Sequence, residues 1–183
     1  QKTAYEIRLS LVGSEMCIRD SFTLGGRSNA RVNFRVQVPT GVRLDLLGVD
    51  ADIISASTAP VRARTVNGDI TVVTSVGPVN VETVNGDVDA RMTTLSGPDS
   101  VVAKTLNGAV WVFLPETVGA NVDAGTTNGD LTTDFPVPAE PSGNRKKLET
   151  TLGAGGTPVL VRTLNGSVEI GRLDAQGRSY PRP

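Results

Sequence analysis

PVRARTVNGDITV, residues 60–72, recurs in variant form down most of this 183-residue chain. Counted from the Asn of each Asn-Gly pair, the units centre on Asn67, Asn85, Asn107, Asn128 and Asn165, at spacings of 18, 22, 21 and 37 residues. The last spacing is about two periods, with one degraded copy inside. Repeats of this length mark architectures in which one unit cannot bury its own apolar face and stacked neighbours supply the core.

The register within the unit carries more than the Asn-Gly pair does. Six residues before the Asn stand Val61, Val79, Val101, Val122 and Val159, and four before it Ala63, Val81, Ala103, Ala124 and Val161. Two before it there is always threonine: Thr65, Thr83, Thr105, Thr126 and Thr163. Three after it come Ile70, Val88, Val110, Leu131 and Val168, and five after it Val72, Ala90, Val112, Thr133 and Ile170. Interleaved positions carry Arg62, Arg64, Asn80, Glu82, Lys104, Asp123 and Arg162, with Val102 and Leu160 as exceptions. A period of two, with small apolar residues on one side and charge on the other, is a half-buried strand. Each unit therefore reads as strand, tight corner, strand.

Composition narrows the chemistry. With 18 Lys+Arg against 19 Asp+Glu in mixed order, there is no basic footprint for nucleic acid. Arg145, Lys146 and Lys147 read as a solvated loop end. No histidine is present, which removes histidine triads and histidine zinc sites, and the single Cys17 allows neither an internal disulfide nor a thiolate cage. The sequence has no 18-residue apolar run to span a bilayer and no visible signal peptide, and its start at Gln1 reads as a fragment or a processed product.

Along the chain, 1–21 is an N-terminal segment, 22–173 a single β-repeat domain and 174–183 a frayed tail. Residues 1–9 suit one short strand. Residues 10–21, SLVGSEMCIRDS, resemble a translated sequencing-adaptor artefact, with an ordinary loop or short helix as the alternative. Val32, Phe34, Val36 and Val38 alternate as a strand ended by Pro39. Val42, Leu44 and Leu46 then suit a first repeat with Gly48 at the corner, 19 residues before Asn67. Gly77-Pro78 and Gly97-Pro98 mark a second corner per unit. Trp111 falls on the polar side of its strand, where packing beneath a loop or terminal segment is expected and an aromatic ligand platform is the alternative. Phe135–Asn144 reads as a loop, and Leu148, Thr150 and Leu152 as the missing repeat. The 22–46 strand pair and the segment after Leu173 are the expected caps.

Two folds satisfy the pattern. Asn-Gly between alternating strands is a strong hairpin signal, which allows a twisted antiparallel hairpin sheet or sandwich. Equality of residue class at every offset favours an all-β solenoid instead. In it, coils of about 18–22 residues stack at about 4.8 Å, and equivalent threonines and asparagines form ladders.

The repeated Thr-x-Asn-Gly with flanking valines, VQVPTGVRLDL (37–47) and GAGGTPVLVRTLNGSVEI (153–170) resemble a bacterial family of unknown function, labelled as adhesins, with a toast-rack-like β-solenoid fold. The resemblance spans residues 29–171. It implies an extracytoplasmic protein (periplasmic, cell-surface or secreted) and assigns no catalytic residue to Thr65, Asn67, Gly68 or Asp69.

Asp69, Asp87 and Asp130 follow the corner glycines at one offset. Stacked, they could form a carboxylate pair for glycan chemistry or share a calcium ion. An Asp after Asn-Gly is also favoured because it binds turn amides, and Ala109 and Ser167 break the series. The sequence therefore reads as a non-enzymatic envelope-associated or extracellular scaffold, with no catalytic, cofactor or metal residues. Its expected partner is an unidentified macromolecule or surface glycan, with self-association through the solenoid ends. A polysaccharide-active β-helix enzyme and a self-polymerising structural solenoid are the alternatives. Asn165-Gly166-Ser167 matches a glycosylation acceptor but coincides with a repeat corner.

Overall fold

The computed structural model describes residues 7–9, 18–20, 33–75, 77–95, 99–136, 140–142 and 145–173. These form an all-β structure of sixteen strands in two sheets. Its first half comprises β1 (Ile7–Leu9), β2 (Ile18–Asp20), β3 (Leu44–Leu47), β4 (Ile53–Ser57), β5 (Val61–Arg64), β6 (Ile70–Thr74), β7 (Val79–Glu82) and β8 (Val88–Met92). There follow β9 (Val101–Lys104), β10 (Val110–Pro115), β11 (Ala120–Asn128), β12 (Leu131–Thr133), β13 (Glu140–Ser142), β14 (Arg145–Leu152), β15 (Thr157–Asn165) and β16 (Val168–Leu173).

Six coils, each one strand from either sheet joined by a corner, stack in parallel. One sheet runs β13-β14-β11-β15-β9-β7-β5-β3-β1-β2 and the other β12-β16-β10-β8-β6-β4. Equivalent repeat positions pair directly: Val61 with Val79, Val79 with Val101, Val101 with Val159, and Val159 with Val122. The solenoid is thus the fold adopted, and the isolated hairpins are not. An alternation that serves a hairpin serves a parallel coil equally, but only the coil sets like residues over like.

The inward faces make one core. The valines and alanines six and four residues before each Asn lie between 0 and 3% exposed, and Ile70, Val88, Val110, Val168 and Ile170 oppose them at 0–1%. Small side chains suit this thin interior, because two sheets joined by tight corners leave no room for large rings. Burying one Val contributes about 1.5–3 kcal/mol relative to exposure, so the stack depends on many modest contacts.

Several expectations are corrected. Leu44 pairs with Val61 and Asp50 bridges to Asn67, so the first coil has Gly48 at the threonine position and Asp50 at the corner. The spacing is 17 residues, and Val42 precedes the coil. Residues 33–39 form no strand: Phe34 and Val36 are exposed and Val38 alone of the described alternating set packs against the core, while residues 22–32 of the expected cap lie outside the described residues. Instead β1 pairs antiparallel with β3 and β2 antiparallel with β1, extending the first sheet, with residues 18–20 in a strand, neither loop nor helix. Leu148, Thr150 and Leu152 do not restore a coil. Their strand β14 runs antiparallel to β11, carries Arg145, Lys146 and Lys147 within it, and pairs with β13 inside the expected 135–144 loop.

The order of coils also departs from the order of the chain. The last repeat, β15 and β16, lies between the coils of Asn107 and Asn128, so β9 pairs with β15, and β15 with β11. The second corner at Gly77 has φ of 96°, and a Cβ there would lie 2.8 Å from Pro60 Cγ. Residues 96–98, the segment after Leu173, Tyr5, Cys17, Val32 and Tyr180 lie outside the described residues.

Candidate functional site: the stacked corners

The corners concentrate the repeated polar residues, and three hydrogen-bond ladders account for them. Each corner threonine donates its Oγ1 to a carbonyl in the adjacent coil: Thr83 to Gly68 at 3.1 Å, Thr105 to Gly86 at 2.9 Å, Thr163 to Gly108 at 2.9 Å and Thr126 to Gly166 at 2.7 Å. Thr65 donates to Ala51 at 3.1 Å. All five are buried, so each hydroxyl needs a partner inside the protein and finds it in the carbonyl of the adjacent coil.

The second ladder runs in one direction. Asn67 Nδ2 donates to Asp50 Oδ1 at 2.6 Å, and Asn85 to Asn67, Asn107 to Asn85, Asn165 to Asn107 and Asn128 to Asn165 each at 2.8 Å. An ionised carboxylate only accepts, so Asp50 orients every amide stacked beyond it. The glycines that follow are required sterically. A Cβ on Gly86 would lie 2.1 Å from Gly68 O, and one on Gly166 1.9 Å from Gly108 O.

The third ladder takes up the carboxylates singled out by their spacing. Asp52 Oδ1 accepts from the Asp69 N–H at 3.1 Å, Asp69 Oδ1 from Asp87 N–H at 2.8 Å, and Asp87 Oδ1 from Ala109 N–H at 2.7 Å. These groups hold backbone amides of the next coil rather than converge on a common point. Asp130 is separated from them by the coils of Ala109 and Ser167, and its N–H donates to Ser167 Oγ at 3.4 Å. Lys146 pairs with Asp130 and, by hydrogen bond and then charge, holds that carboxyl below its ordinary value. Among the described residues, no three Asp, Glu, Cys or His side chains gather as a metal site.

Asn165 is bonded on both sides within its ladder. On the outer face of the second sheet Trp111 is half-buried, with Asp89 and Glu169 beside it in register. Phe113 lies next along the strand under the Arg91 guanidinium, 5.3 Å from ring centroid to Cζ. The hydrogen bond from Arg91 to Asp89 raises the arginine's pKa, against the opposing effect of partial burial.

The residue before the corner Asn, or before Asp50 in the first coil, is aliphatic in every coil but that of Asn128. Val49, Val66, Val84, Leu106 and Leu164 are 38–58% exposed and stand in successive coils, an apolar strip along the stack. Beside it runs an open groove of about 490 Å³, lined by Leu47, Val66, Val84 and Leu106 together with Arg64, Glu82 and Lys104. Arg64 and Glu82 are paired across coils at 3.0 Å. The recurrence of the strip residues at one offset in five of the six coils was the available signal, with Thr127 as the exception, since a solvated turn has no need of a recurring aliphatic residue.

The Toastrack DUF4097 family model matches residues 43–171. Its start falls one residue before β3, where the coils begin, rather than at the residue 29 suggested by resemblance. No curated protein matches the chain. Among solved structures, a putative cell adhesion protein from Clostridium sporogenes ATCC 15579 is similar at 15% identity and a TM-score of 0.49, over 92% of this chain and 76% of that one.

Proposed function

The chain belongs to the Toastrack DUF4097 family, and we propose that it is a non-enzymatic solenoid scaffold of the extracytoplasmic space that holds an extended macromolecular partner along its corner strip. One observation carries this reading: the line of exposed aliphatic residues from Val49 to Leu164, flanked by the charges of Arg64, Glu82 and Lys104. Recurrent polar groups at the corners bond to neighbouring coils, which leaves this strip as the surface that stacking does not explain. A straight row of equivalent contacts suits a chain-like partner, such as an extended polypeptide or a surface glycan, better than a small molecule in an enclosed pocket.

The test is co-sedimentation of the purified protein with an envelope preparation. Wild type should be retained, and a Val66→Lys, Val84→Lys, Leu106→Lys variant should be released while keeping its cooperative urea transition. Equal retention of the two, or none of the wild type, would sink the proposal. Glycan digestion of the envelope before mixing separates a polysaccharide partner from a protein one. Fractionation of cells carrying the natural gene product tests the location independently.

The free edge of β4 favours a second reading, association between copies. Among the described residues β4 pairs only with β6, and its sequence IISAS has neither charge nor proline to block pairing. Ile54 on this strand is 83% exposed. Sedimentation velocity over a wide concentration range should show reversible association that Ile54→Lys weakens. A species that stays monomeric throughout removes this reading.

A further inference from the structure

We propose that Asn128-Gly129 is a site of spontaneous, backbone-assisted deamidation, and that the coils stacked on the other four Asn-Gly corners shield them from the same reaction. Asn-Gly is intrinsically susceptible, because glycine has no Cβ to obstruct its own nitrogen from reaching the preceding side chain. The Gly129 N–H gives its proton to hydroxide, and the nitrogen attacks Asn128 Cγ. A C–N bond forms, the Cγ–Nδ2 bond breaks, and the amide nitrogen takes a proton back from water, regenerating hydroxide, and leaves as ammonia. Water then opens the succinimide at either carbonyl, leaving aspartate or isoaspartate at position 128, with no change in oxidation state.

The reaction needs a glycine N–H free to lose its proton and a side-chain amide free to swing toward it. Neither is available at the interior corners. The N–H of Gly68 donates to Asn85 O at 2.9 Å, that of Gly86 to Asn107 O at 3.0 Å, that of Gly108 to Asn165 O at 2.9 Å and that of Gly166 to Asn128 O at 2.8 Å. Each of the four side chains is also held at both ends, donating to one neighbour and accepting from the other.

Asn128 is where the ladder stops. Its Nδ2 donates to Asn165 Oδ1, but among the described residues nothing donates to its own Oδ1 and nothing accepts from the Gly129 N–H. Gly129 is exposed, whereas Gly68, Gly86, Gly108 and Gly166 are half-buried. The product loses the donor that faced Asn165 Oδ1, so acceptor meets acceptor. In the isoaspartyl form the corner backbone is also longer by one methylene. Deamidation therefore loosens the terminal coil first.

The experiment incubates the whole folded chain at mildly alkaline pH and follows each Asn-Gly peptide by mass spectrometry, with isoaspartate detected separately. Conversion at Asn128 should be at least about tenfold faster than at Asn67, Asn85, Asn107 or Asn165, because the interior sites must first open. In concentrated urea the five rates should converge. An interior site converting as fast as Asn128 in the folded protein overturns the proposal, as does protection of Asn128 equal to that of the others. An Asn128→Gln variant, whose longer side chain must close a larger ring, should lack the fast phase, and persistence of that phase also overturns it.

Discussion

Replacing Gly86 with alanine separates the two reasons for glycine at a corner. Gly86 has φ of 150°, and its added Cβ would lie 2.1 Å from Gly68 O and 3.0 Å from Asp69 Oδ1. Gly41 has φ of 82°, but a Cβ there meets nothing within 4 Å. Both substitutions incur the strain of a positive φ, about 1–2 kcal/mol for an ordinary residue. Only Gly86→Ala adds a collision with backbone. Gly68 O cannot turn aside cheaply, since it accepts from Thr83 Oγ1 at 3.1 Å. Relief requires the coils to part by about an ångström, which weakens several ladder bonds worth about 0.5–1.5 kcal/mol each. The sum exceeds about 4 kcal/mol, a large share of the roughly 5–15 kcal/mol available to a domain. With a urea slope of about 2 kcal/mol per molar, the midpoint should fall by about 2 M for Gly86→Ala and by less than about 1 M for Gly41→Ala. Trp111 fluorescence follows the transition. A natively folded Gly86→Ala protein with the midpoint of Gly41→Ala would refute the steric argument.

Thr83→Val keeps the shape of the side chain but removes the hydroxyl donated to Gly68 O, and should cost about 1–2 kcal/mol in urea unfolding, against less than about 0.5 kcal/mol for Thr71→Val on the outer face. Equal midpoints would speak against the threonine ladder. Ile170→Ala, at a site 1% exposed, should cost about 2–5 kcal/mol by opening a cavity. Ile54→Ala, at a site 83% exposed, should cost little in the same assay. Because Lys146 lowers the Asp130 pKa, their pairing contributes fully above the ordinary carboxylate value of about 3.9 and is lost as pH falls through the lowered folded value. Asp130 is fully exposed, so the check is its carboxyl NMR titration, which should move upward in Lys146→Met. An unmoved titration would deny the pairing.

The coil interior was legible because each of its positions is constrained laterally. Threonine recurs where a carbonyl of the adjacent coil needs a donor, and glycine where a Cβ would strike one. The first coil was misregistered because Gly48 and Asp50 replace both diagnostic residues, and a lone glycine resembles a corner. Alternation in Leu148–Leu152 marked a strand correctly but carried no information on its direction. The same pattern at 33–38 met no pairing partner and formed no strand. Among the candidate site residues, Asp69 and Asp87 sit at the corners that their spacing indicates and accept hydrogen bonds from backbone N–H groups of the next coil, whose identity a single unit of sequence does not reveal. The apolar strip was not legible because Val66, Val84 and Leu106 vary in identity and follow the alternation's turn, where exposure rather than spacing distinguishes them.

Coils with one pattern are interchangeable neighbours, which is why the placement of β15 and β16 was hidden. That placement makes the final repeat a keystone. Other solenoids can be shortened from the end, each loss exposing a fresh terminal layer. Here, deleting 157–173 would leave β11 and β12 facing β9 and β10 across a slot of about 10 Å, two strand spacings wide. The middle of the stack therefore cannot close until the repeat at 157–173 is in place, however early the coils on either side of it are made.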